Sequence, residues 1–185
     1  MTIRIALIRG INVGRNKRVA MADLRALLAD LGYGEVRTLL QSGNAVFTVP
    51  GSARGGTAAV EAAIERGLAD QLSVTARVLV RTPAQLAAAI EADPFGDRAT
   101  EGSKHFLGFL AEPPSAARVA AVPHLAPDAD TGPDEARFAD GHLYLWCPNG
   151  ISKSTLWTVD WDKRLGTAVT LRNWNTVTKL RELAG

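Results

Sequence analysis

Arg9, Arg15, Lys17 and Arg18 crowd the segment RGINVGRNKR at residues 9–18, and a second polar loop, QSGN, follows at 41–44. Gly10, Gly14 and Gly43 let the backbone turn left-handed or come close to a ligand, and Asn12, Gln41, Ser42 and Asn44 add hydrogen-bonding groups. Cationic side chains beside such loops are the chemistry of anion binding: phosphate, carboxylate or a nucleic-acid backbone. In the plainer reading Gly10 and Gly14 shape a loop, Gly43 shapes a hairpin, and the charges face water. Both loops are richer in polar side chains than their turns require, which favours binding.

A third polar cluster lies near the end of the sequence. ISKS (151–154) precedes an apolar helix expected to run to about Leu165, with Ser152 or Ser154 as its cap and Lys153 at its head. TLRNWNTVTKL (170–180) reads as a short strand ending at Arg172, then a helix capped by Asn173. Capping accounts for Asn173 without any ligand. Arg172, Asn175, Thr176 and Lys179 also crowd the first two turns of that helix, so it offers a second anion-compatible start beside a plainer reading in which Arg172 and Lys179 pair with carboxylates.

Other chemistries find little support. There is no G-x-x-x-x-G-K-[ST] loop, no G-x-G-x-x-G after a strand and no metal-spaced pair of His or Cys, so neither cofactor nor metal is expected. His105, His124 and His142 fall in unrelated expected elements. The single Cys147 precedes Pro148 at a strand end, a packing position, and Ser42 lacks the elbow of a nucleophilic serine. Trp146, Trp157, Trp161 and Trp174 all lie in the second half, where core and interface packing is their default.

With 46% hydrophobic and 22% charged residues, the 185-residue chain has the composition of a folded soluble protein, large enough for one good core or two small ones. Its net charge of +2 is unevenly placed: residues 1–82 carry 11 Arg and Lys against 6 Asp and Glu, and the remainder 10 against 13. The basic excess therefore sits with the two loops. The opening has neither a long apolar run nor a small-residue cleavage site, and no stretch approaches a membrane span. A lone cysteine suits the reducing cytoplasm, the expected compartment, with no membrane partner.

Positioning these loops requires a sheet. Ile3–Arg9 is strand-like; Leu24, Leu28 and Leu31 give the helix from Met21 one apolar face, and Gly32 stops it. Val36–Leu40 and Ala45–Val49 read as strands joined by QSGN, Ala58–Leu72 as an alanine-rich helix and Val74–Arg81 as a strand. The sum is βαββαβ, the ferredoxin-like arrangement. If the third strand lies between the first two, both loops meet at one sheet end, beside the N-terminus of the Met21 helix. Beyond residue 82 the expectation is a second small α+β subdomain over 83–185, with a helix from Pro83, a strand over Lys104–Leu110 and a hairpin around ADG.

IALIRGINVGRNKRVAMADLRALLADLGYGEVRTLLQSGNAVF, together with ISKS and TAVTLRNWNTVTKLREL, closely resembles the bacterial family called domain of unknown function 1697. The resemblance implies two small α+β subdomains, the first ferredoxin-like, with no established activity. Its characteristic positions map to Arg9, Gly10, Asn12, Gly14, Gln41, Ser42, Gly43 and Asn44, then to Ser152, Lys153, Thr170, Arg172, Asn173, Trp174 and Lys179. Arg15 departs from the family pattern, standing where relatives often have a small residue or Gly, and is expected to make the first loop stiffer and more basic.

Ferredoxin-like folds host nucleotide cyclases, which need paired carboxylates at strand ends, and RNA-recognition domains, which need aromatics on the central strands. The first strand has no acid, and those strands offer only Phe47. The leading expectation is therefore binding of an anionic ligand, whether phosphorylated metabolite, nucleotide or nucleic acid, by the Arg9–Arg18 loop and the Gln41–Asn44 hairpin. The alternatives are an enzyme on a phosphate- or carboxylate-bearing substrate, with Lys153 or Arg172 stabilising developing charge, and a module that contacts an acidic protein partner.

Overall fold

The run TIRIALI forms β1 (Thr2–Ile8), whose alternate residues Ala6 and Ile8 are fully buried in the first core. The structure, a computed structural model, describes residues 1–13, 18–51 and 56–185; Gly14, Arg15 and Lys17 of the first polar loop lie outside them. After β1 come α1 (Met21–Asp30), β2 (Gly34–Leu39), β3 (Asn44–Val49), α2 (Gly56–Leu72) and β4 (Val78–Arg81). They build an antiparallel sheet in the order β2-β3-β1-β4, as the ferredoxin-like reading requires. Leu24, Leu27 and Leu28 of α1 and Val60, Ile64 and Leu68 of α2 are buried in the same core, each contributing about 1.5–3 kcal/mol of transfer free energy. The helices approach closely because Gly67 has no side chain: a Cβ there would stand 3.2 Å from Leu27 Cδ2.

The next elements are α3 (Pro83–Glu91), β5 (His105–Leu110), α4 (Ala116–Ala120), β6 (Glu135–Ala139), β7 (His142–Trp146), α5 (Trp161–Leu165), β8 (Val169–Asn173) and α6 (Trp174–Ala184). Their sheet is also antiparallel, in the order β6-β7-β5-β8. Element for element this is βαββαβ again, with the strand order of the first sheet. In the sequence this repeat shows only as a second small α+β unit, because α4 and α5 are five residues each, too short to show a helical period. The β6–β7 hairpin turns at Asp140 and Gly141, both with positive φ (44° and 74°), as a two-residue turn demands.

Two expected elements are corrected. The helix expected from ISKS to Leu165 is broken into 3-10 turns at Ile151–Lys153 and Thr155–Thr158 followed by α5, because Ser154 and Val159 are extended and Asp160 starts a new helix as its cap. The strand expected over Val74–Arg81 begins only at Val78, since Val74 N donates back to Leu68 O at 2.9 Å and closes the end of α2. The chain forms two compact units, residues 1–87 with 179–185, and residues 88–178.

Candidate functional site

In the first unit the two polar loops do meet. Ile8 N donates to Gly43 O at 2.7 Å, and Leu7 pairs with Asn44 across the β1–β3 ladder. Gly43 has no alternative: its φ is +76°, and a Cβ would sit 2.8 Å from Ile8 O and 2.9 Å from Ile11 Cγ1. Asn12, itself at φ 58°, ties the loops together, its amide donating to Gln41 O at 2.7 Å and Val19 O at 2.9 Å while its Oδ1 accepts from Val19 N at 2.8 Å. Asn44 is fully buried and donates to Ser42 Oγ and Leu39 O. Asn12 and Asn44 are thus framework residues. Gln41, Ser42, Gly10 and Arg18 are exposed and Arg9 is half-buried.

Because Asn12 fixes Val19, it also fixes the start of α1 two residues on. The capping position there is Ala20, with no side-chain acceptor, so the first-turn N–H groups have no acceptor from a cap. Asp23 in that turn offsets part of the positive end of the helix dipole. In the second repeat the equivalent loop is Ala111–Ser115, and Ser115 Oγ caps α4 by accepting from Arg118 N. Among the described residues, the helix start without a side-chain cap, the flanking Arg9 and Arg18 and the asparagine tie are features of the first repeat and not of the second.

The C-terminal polar residues fall elsewhere. Ser152, Lys153, Arg172, Asn173 and Asn175 belong to the second unit and Lys179 to the first. Ser152 is exposed and does not act as a cap; that is done by Ser154, whose hydroxyl accepts from Leu156 N and lies 3.4 Å from the buried Cys147 Sγ. Lys153 borders a cleft of about 480 Å³ with Asp130, Asp134 and Asn149. Arg172 is a strand residue opposite Leu107, and burial pushes its guanidinium down to about 10. Asn173 caps α6, accepting from Thr176 N at 3.0 Å and Thr176 Oγ1 at 2.8 Å, and Gly102 O accepts from Trp174 N at 2.9 Å. The start of α6 is therefore already bonded within the chain.

One cluster has no signature in the sequence. His105 is buried at the start of β5, stacked on Trp174 with ring centroids 4.1 Å apart and edge-on to Phe95 and Trp146. Its Nε2 lies 3.2 Å from Asp93 Oδ1, and Asp93 also accepts from Phe95 N and Gly96 N. Burial lowers the affinity of the imidazole for a proton, and the Asp93 carboxylate opposes that only in part. Only the run of strand residues around His105 was legible. Among the described residues no group of three or more His, Cys, Asp or Glu side chains is placed to hold a metal.

The model of a family described as "Protein of unknown function (DUF1697)" matches residues 1–144. The chain belongs to this family. A solved structure of conserved bacterial protein SP0830 from Streptococcus pneumoniae shares the fold, with 24% identity, a TM-score of 0.74, and 100% of this chain and 99% of that one covered. No curated protein matches the chain. The DUF1697 match takes in Arg9, Gly10, Asn12, Gln41–Asn44, Asp93 and His105; the ISKS and TLRNWNT segments lie beyond it. No helix among the described residues is long and apolar enough to cross a membrane.

Proposed function

We propose that the first unit of this DUF1697 member binds an anionic ligand, a phosphorylated metabolite, nucleotide or nucleic acid, where the 9–18 loop and the 41–44 hairpin meet. The observation that carries the reading is the start of α1, which lacks a side-chain cap and is held beside both loops by the three hydrogen bonds of Asn12. Uncapped N–H groups at a helix start, with Arg9 and Arg18 nearby in the chain, are what an oxyanion needs. The lone, buried thiol of Cys147 supports a cytoplasmic setting.

The test is thermal unfolding of the full chain at low salt with inorganic phosphate, nucleotides and single-stranded oligonucleotides in turn. A ligand at a hundred times its Kd stabilises by about 2.7 kcal/mol, and Arg18→Gln should weaken that effect. Stabilisation by none of these anions overturns the reading. Val13 and Leu40, 73% and 55% exposed on the same two loops, favour a second reading in which an acidic protein segment docks there. Its mark would be capture of a Glu-rich peptide that Leu40→Ser abolishes.

A further inference from the structure

We infer that the second unit carries a separate site for a small organic phosphate, in a cleft of about 720 Å³ bounded by the end of α4, the 3-10 turn Pro123–Leu125 and the segment from Thr155 to Arg164. The second repeat's helices α4 and α5 have five residues each, against ten and seventeen in α1 and α2, and the cleft is lined from Ala121, just past the end of α4, and from Asp160, Lys163 and Arg164 at α5. Its volume lies in the range of about 300–1,000 Å³ typical of small-molecule sites.

The lining selects the ligand. Lys163 and Arg164 both border the cleft, both are exposed, and neither is in an ion pair with any described residue. Asp160 is the sole acid of the lining, and one of its oxygens already accepts from Lys163 N at 3.1 Å. Cations are therefore in excess.

His124 adds a third donor. Its ring stands 6.0 Å from Trp161, and its Nδ1 is buried without a hydrogen-bond partner. With Nδ1 enclosed, Nε2 is the ring nitrogen left to meet a ligand. The Thr158 hydroxyl donates to Thr155 O at 2.7 Å, which leaves its oxygen as an acceptor. An ammonium, a guanidinium fork and an imidazole N–H match the three terminal oxygens of a phosphomonoester better than the two of a carboxylate. Ala121 and Val159 give the organic part an apolar wall.

Phenyl phosphate is the probe, titrated into the full chain and followed by calorimetry and by the His124 imidazole proton resonance, with phenol and benzoate as controls. The expected result is a shifted His124 resonance and affinity that falls about tenfold or more in Lys163→Gln/Arg164→Gln, whose positions are exposed and do not threaten folding. Arg9→Gln/Arg18→Gln should leave the His124 shift and its titration midpoint unchanged even where it removes heat from binding in the first unit, which separates this site from the one proposed there. An unmoved His124 resonance, equal binding by the Lys163/Arg164 variant, equal binding of benzoate, or loss only in the Arg9/Arg18 variant each overturns the assignment.

Discussion

Asn12 shows how far a residue's type can be read without its role. Its place in a polar, glycine-marked loop was legible, yet its three hydrogen bonds run to Val19 and Gln41, a closure visible only once the strand order is known. Gly43 was easier, because a tight hairpin makes a local demand on φ. His105 was harder still, for its surroundings come from Asp93, Phe95, Trp146 and Trp174 on separate elements. That setting gives a pH prediction. The unfolded chain binds the proton near pH 6.5, the ordinary histidine value, while the folded chain holds His105 neutral to lower pH. The unfolded state therefore binds more protons below that point. Stability is full above pH 6.5 and declines as pH falls through the interval down to the folded value, with a slope of at most about 1.4 kcal/mol per pH unit from this group. His105→Phe keeps the stack on Trp174 and removes the titration, so its urea midpoint should lose less than wild type between neutral and mildly acidic pH. Parallel curves for the two proteins would refute the assignment.

Most strands and the longer helices were legible in the sequence, and the short helices α4 and α5 were not. α2 was legible as an alanine-rich helix, but the use of its acids was not. Glu61 Oε1 accepts from Val80 N at 2.7 Å and Glu65 Oε1 from Val78 N at 2.9 Å, so two carboxylates one turn apart satisfy the outward N–H groups of the edge strand β4. Only the order β2-β3-β1-β4 reveals β4 as an edge. Glu61→Ala should cost about 1–3 kcal/mol, since the Val80 N–H, in a fully buried residue, loses its partner. Glu61→Gln, which keeps an acceptor, should cost less. Urea denaturation measures both, and a drop in midpoint at constant m-value is the expected form. The segment from Ser152 to Leu165 failed the sequence reading for the opposite reason. Its apolar residues look continuous, while Ser154 and Asp160 each divert the backbone to cap a new short turn.

At the scale of the molecule, βαββαβ occurs twice, and each copy is followed by a helix that is shared. α3 begins in the first unit and ends in the second; α6 begins in the second and ends in the first. The buried Leu180 and Ala184 near the end of α6 thus belong to the unit that β1 begins. Leu180→Ala should destabilise by about 2–5 kcal/mol. A chain ending at Thr178 should lose amide-exchange protection in β1 and β3, and full protection there in the shortened chain would contradict the division. The same division bears on how the protein is made. Translation proceeds from the N-terminus, and domains generally fold as they emerge. Here Lys179–Gly185 follow every residue of the second unit, so the ribosome must deliver residues 88–178 before the earlier-born unit receives its last segment. During that delay the first unit is incomplete, so biogenesis of the two repeats is interlocked rather than sequential.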